Sequence, residues 1–151
     1  LRPSSDTMKE ALEFKVLDPS YTSQIIALGQ QLNPEISLAE LHRFQTEMFQ
    51  MANYHCFGLL HQGRLVGISS GWITVRYYSG KQLEVDNVIV ESQSQSRGWG
   101  STFFTYIEAW AKENACQNIE LNTYVQNSRS HKFYYNLGYK TLGFHMQKNL
   151  G

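Results

Sequence analysis

A chain of 151 residues with 42% hydrophobic and 13% aromatic content is long enough to bury one core, and it reads as a single domain over residues 8–151. Its 13 basic residues cancel its 13 acidic ones, which leaves no basic stripe for nucleic acid and no polybasic run for an anionic membrane. No apolar run approaches the roughly 18 residues of a membrane span and no charged-then-apolar leader opens the chain, so a cytoplasmic protein with no membrane partner is expected.

Residues 1–7 are polar, precede Met8, and read as an appended remnant or a disordered tail. Residues 14–17 form a first strand, ended by Asp18 and Pro19. Thr22 or Ser23 then caps a helix carrying Ile25, Ile26, Leu28 and Leu32, which Asn33 and Pro34 stop. Ser37 followed by Glu40 is a capping-box pattern, and Leu38, Leu41, Phe44, Met48 and Met51 repeat at helical spacing behind it. From Tyr54 the period changes to that of strands: YHCFGLL, the turn HQGR with Gly63, then LVGISSGWITV predict a hairpin. A looser turn, YYSGK, leads to a third strand, QLEVDNVIV. A polar loop with Gly98 and Gly100 follows, and then a helix whose apolar face is Phe103, Phe104, Ile107, Trp110, Ala111 and Ala115. Residues 118–123 read as another strand, Asn127 or Ser128 caps a short helix that Gly138 ends, and residues 139–142 and 144–149 read as two last strands. Hairpins first and strand–helix crossovers later predict an α/β (α+β) fold, with a mixed central sheet of six to seven strands flanked by about four helices. Cys56 and Cys116 sit in unrelated apolar contexts with no Cys/His spacing for zinc, so both read as core thiols and no metal site is expected.

A strand, a glycine turn and a helix start make an anion site, because the loop and first-turn N–H groups converge on one phosphate and the helix dipole adds positive potential. Gln95, Gly98 and Gly100 in QxxGxG spacing, with NSRSHKFYYNLGY further on, resemble the Gcn5-related N-acetyltransferase (GNAT) family, whose acetyl-CoA loop and later helix carry such motifs. The chain departs from the family pattern at Ser92, often proline, and Ser130, often alanine, and neither change removes a donor. The resemblance implies acetyl-CoA as co-substrate. Its pyrophosphate would lie along Gln95, Ser96, Arg97, Gly98, Gly100 and Ser101, with the side chains of Arg97 and Trp99 facing outward. The backbone of Val88, Ile89 and Val90 would hold the acetyl end, with the Val90 N–H as the donor to the thioester oxygen. Asn127 would contact the pantetheine arm, with Ser130 beside it, and Tyr134 would be the general acid for the leaving thiolate.

The acceptor must lose a proton to attack. By period two, Glu84, Asp86, Val88 and Val90 share one face, so Glu84 and Asp86 are candidates to bind the amine or take its proton through water; both also read as solvated or salt-bridged acids. No Cys or Ser is placed for a covalent acetyl-enzyme, which predicts direct attack in a ternary complex. The expected activity is N-acetylation of a primary amine, small-molecule or peptide. A catalytically idle acyl-CoA-binding sensor or interaction domain is the alternative, and a homodimer is compatible with either. Glu35, Glu40 and Glu47 suit a polycation such as an aminoglycoside or polyamine, or simply form a solvated face. Trp72, Tyr77 and Tyr78 line an acceptor cleft or pack in the sheet.

Overall fold

The computed structural model describes residues 12–91 and 98–151. The chain divides into two compact units, the first ending at Glu120 and the second spanning Leu121–Gly151.

The first unit runs β1 (Leu12–Leu17), a short 3-10 turn (Pro19–Tyr21), α1 (Thr22–Leu32), α2 (Leu38–Gln50), β2 (Tyr54–His61), β3 (Arg64–Arg76), β4 (Gly80–Val90) and α3 (Trp99–Glu113), and β5 (Asn118–Leu121) ends at its border. The strands lie in the order β1-β2-β3-β4-β5, with the first three pairings antiparallel. β5 follows the α3 crossover and begins beside the start of β4, where Gln117 N–H donates to the Lys81 carbonyl. A strand starting there can lie along β4 only by running parallel to it, which makes the sheet mixed.

Local chemistry explains the boundaries. Ser37 accepts a hydrogen bond from the Glu40 N–H and so caps α2 as its sequence pattern requires. Gln62 and Gly63 both have positive φ, the geometry of a two-residue hairpin turn between the paired His61 and Arg64.

Alternation along β2 sends side chains to two separate layers. Tyr54 and Cys56 join Leu17, Ile25, Leu28 and Ile68 in a core beneath α1 and α2. His55 and Phe57 face α3, where both rings lie 4.8 Å from that of Trp110. Phe103, Phe104 and Ile107 of α3 are at most 1% exposed, each contributing about 1.5–3 kcal/mol of burial. Ala115 is not part of this apolar face: α3 ends at Glu113, and Ala115 is exposed with φ +61°.

The second unit contains α4 (Ser128–Asn136). The sheet has five strands rather than six to seven. Residues 139–142 and 144–149 form no strand, and Leu142, Phe144 and Met146 are all exposed. Alternation in sequence makes a strand only where a ladder partner and a covered face exist, and this unit supplies neither among the described residues.

Candidate active site

The C-terminal half of β4 departs from a regular strand. Asp86 pairs with Ser70 and Ile89 with Ile68, so Asn87 and Val88 together oppose the single Ser69. This is a β-bulge, and Asn87 sits in it with φ +51°. The bulge corrects the period-two expectation. Cross-strand partners share a face, so Glu84, Asp86 and Ile89 lie on the α1/α2 side with Trp72, Ser70 and Ile68. Val90 falls on the opposite face with Val85, opposite Gly67 and Gly71.

The bulged segment also reaches past the end of β5. Glu91 N–H donates to the Val66 carbonyl on β3. Strand N–H groups alternate in direction, so the Val90 N–H points to the other side, that of β5. β5 has four residues, and at about 3.3 Å per residue it runs from the level of Lys81 to roughly that of Val85. It therefore stops before Asn87–Val90.

The two candidate carboxylates differ sharply. Glu84 is half-buried and pinned by one oxygen: Arg76 donates at 2.8 Å, Thr74 at 3.1 Å and Gln82 at 3.0 Å. Burial alone would raise its pKa, but the combined hydrogen bonds of Arg76, Gln82 and Thr74 outweigh it and hold the group below the ordinary carboxylate range. A carboxylate so engaged is a poor proton acceptor. Gln82 also donates to Glu120, which accepts from Tyr78, so this end of the sheet is a closed polar network. Asp86 is exposed at the edge of the bulge, and its Oδ1 accepts the Asn87 N–H at 2.8 Å.

Beyond Val90, Gly98 is the N-cap of α3 with φ +71°, a left-handed conformation that glycine adopts without strain. No side chain among the described residues caps the first turn, which carries the N–H groups of Trp99, Gly100 and Ser101. Trp99 does not face outward: it is 7% exposed and its ring lies 4.7 Å from that of His61. A large indole at the first helical position finds the end of β2 to cover it, which leaves only its backbone for a ligand. Ser92, Gln95, Ser96 and Arg97 lie outside the described residues.

Within the second unit, Asn127 accepts from the Ser130 N–H at 3.1 Å and is the N-cap of α4. Its carboxamide Oδ1 is thus used by the fold, while Ser130 contributes that backbone donor. Tyr134 is half-buried between Phe133 and Tyr139, ring centroids 5.2 and 5.7 Å away. His131 Nε2 lies 2.9 Å from the Tyr124 carbonyl, a role in the fold of this unit.

Sequence reasoning passed over a buried polar chain under the bulge. Gln45 Nε2 donates to the Tyr54 hydroxyl at 2.9 Å, that hydroxyl lies 2.9 Å from Ser70 Oγ, and Asn87 Nδ2 donates to Ser70 Oγ at 3.3 Å. The only signal was Gln45 on the apolar side of an amphipathic helix. Cys56 lies in the same layer, and burial pushes its thiol up to about 11, consistent with a core role.

Among the described residues the domain combines a mixed-sheet α+β fold, a strand bulged at Asn87 and a helix that starts at Gly98 with no side-chain cap. The chain belongs to the acetyltransferase (GNAT) family, whose family model matches residues 25–139. An aminoglycoside N-acetyltransferase, AAC(6')-Iy, solved in complex with CoA, is 16% identical with a TM-score of 0.81, over 91% of this chain and 93% of that one. A Trypanosoma brucei acetyltransferase is 25% identical with a TM-score of 0.72, over 92% and 99%. The aminoglycoside 6'-N-acetyltransferase AAC(6')-Ih of Acinetobacter baumannii is 18% identical with a TM-score of 0.76, over 93% and 99%. The likenesses to the two aminoglycoside enzymes show the fold alone. No relative matches among curated protein sequences.

Proposed function

We propose that the protein is an acetyl-CoA-dependent N-acetyltransferase that acts on a primary amine by direct attack in a ternary complex. The observation that carries this reading is the start of α3 at a left-handed Gly98, with no side-chain cap among the described residues, downstream of a strand whose ladder is broken at Asn87. The coenzyme pyrophosphate takes the N–H groups of the 95–101 loop and first helical turn, and Val88–Val90 hold the pantetheine and acetyl end.

The amine nitrogen attacks the thioester carbonyl, and the oxyanion that forms is met by the Val90 N–H. Collapse breaks the C–S bond, Tyr134 protonates the departing thiolate, and the proton lost by the amine passes to water held by Asp86. Of the two acids, Asp86 suits the proton-accepting role because Glu84 is already committed to Arg76; Glu84 keeps the network around the strand in place. The products are the amide and free coenzyme thiol, and no acetyl group resides on the protein.

Initial velocities measured while both substrates are varied test the mechanism. Intersecting double-reciprocal lines are expected, and parallel lines, the signature of an acetyl-enzyme, would contradict direct transfer. An idle acyl-CoA sensor would bind the coenzyme and release no thiol with any amine.

A further inference from the structure

We infer that the acceptor is a small primary amine with an uncharged, apolar body, which enters a cavity between α1, α2 and the sheet. The inference rests on the transferase reading for the reacting end and on the cavity for the body. The cavity has a volume of about 200 Å³. An apolar cavity of about 150 Å³ accommodates benzene, so one ring or a short alkyl chain fills this one, and a multi-ring sugar does not.

The lining is mostly apolar, with the uncharged polar side chains of Asn33 and Gln45 among it. Leu32 of α1, Phe44 and Met48 of α2 and Ile68 of β3 form walls, and among the described residues no Asp, Glu, Lys, Arg or His side chain contributes to them. Leu32 and Phe44 are also 48% and 38% exposed, so the cavity opens to solvent at their side. Its polar end is Ser70 and Asn87, at the bulge. Asp86 pairs with Ser70 across the ladder and precedes Asn87, so an exposed carboxylate stands on the cavity's own face at that end. An ammonium is favoured there and an apolar body beyond it. The nitrogen is then left at the bulge, where the acetyl group is proposed to lie. Glu35, Glu40 and Glu47, which would suit a polycation, are exposed and none lines the cavity.

Gly29 supplies an independent argument. It lies inside α1, where glycine is less stable than alanine. Among the described residues nothing in the packing demands it, because a Cβ built there meets no heavy atom within 4 Å. It lines the cavity, so the missing side chain keeps that space open at a cost to the helix.

The test is calorimetric titration of 2-phenylethylamine into the CoA-loaded protein, paired with thiol release from acetyl-CoA, for the wild type, Gly29→Ala and Gly29→Leu. The wild type is expected to bind and acetylate the amine. Gly29→Leu should weaken its binding and raise its KM by about tenfold or more, Gly29→Ala should do so less, and the KM for acetyl-CoA should not move. Neither variant should unfold earlier than the wild type, since the added atoms enter open space. Gly29→Leu binding the amine as tightly as the wild type, or an aminoglycoside acetylated at lower KM than 2-phenylethylamine, would overturn the inference. Binding that Gly29→Leu abolishes, without transfer to this or any other amine, upholds the cavity and overturns the transferase reading. Transfer to other amines without binding of this one does the reverse.

Discussion

The ring of Tyr139 packs edge-on against that of Tyr134, centroids 5.7 Å apart, because α4 ends between them in a left-handed glycine. Tyr139 N–H donates to the Tyr134 carbonyl and Gly138 N–H to that of Tyr135, the paired bonds of a Schellman helix end, with Gly138 at φ +93°. Such ends are usually sealed by an apolar contact between the residues that Tyr134 and Tyr139 occupy. The LGY of the motif therefore orients the tyrosine proposed as general acid.

Tyr134→Phe keeps the ring contacts and removes the hydroxyl. We expect kcat to fall by about 10²–10⁴, with little change in the KM for acetyl-CoA. Gly138→Ala should reach part of that loss indirectly, with about 1–2 kcal/mol of strain at a left-handed position. Steady-state kinetics and urea unfolding of the two variants separate the effects, and an unchanged kcat in Tyr134→Phe would remove the residue from the chemistry.

Gly98→Ala tests the coenzyme end. Among the described residues a Cβ at Gly98 meets no atom within 4 Å, and the left-handed φ is the strain the substitution introduces. About 1–2 kcal/mol of strain should twist the helix start and weaken CoA binding by roughly tenfold in a calorimetric titration. Retained affinity would mean that the first turn of α3 does not hold the pyrophosphate.

The buried polar chain below the bulge sets a stability prediction. Tyr54→Phe leaves the buried Gln45 and Ser70 each without the hydroxyl they share. The expected loss is about 1–3 kcal/mol, read as a lower urea midpoint with unchanged m-value.

His55 makes stability depend on pH. Burial against Trp110 holds its imidazole below the ordinary histidine range. Below about pH 6.5 the unfolded chain takes up a proton there that the folded chain does not, so stability is complete above that pH and declines as pH falls through it. Glu84, also depressed, acts in a lower window, beneath the usual carboxylate pKa. Urea midpoints at pH 7.5 and 5.5 should differ in the wild type and differ less in His55→Phe.

Local signals carried most of the fold. The Ser37 cap, the Asn127 cap, the Gln62–Gly63 turn and the Gly138 stop are set by residues within a few positions of one another, and all were readable in the chain. What escaped depends on pairing at a distance. The bulge exists only because β4 must register against β3, so no window around Asn87 could announce that Val90 changes face. Arg76 captures Glu84 across a hairpin, which single-strand periodicity does not see. Trp99 reads as an outward residue between glycines until His61 is brought beside it. The final alternating segments lacked what no sequence window contains, a neighbouring strand.

The central claim is acetyl transfer from coenzyme to amine at the bulged edge of β4. Its most direct test is mass spectrometry of amines incubated with the protein and acetyl-CoA, with free thiol measured in the same samples. The account predicts one acetylated amine per thiol released, with both signals reduced together in Asp86→Asn and Tyr134→Phe. Protein that binds acetyl-CoA yet gives neither product with any primary amine would contradict it.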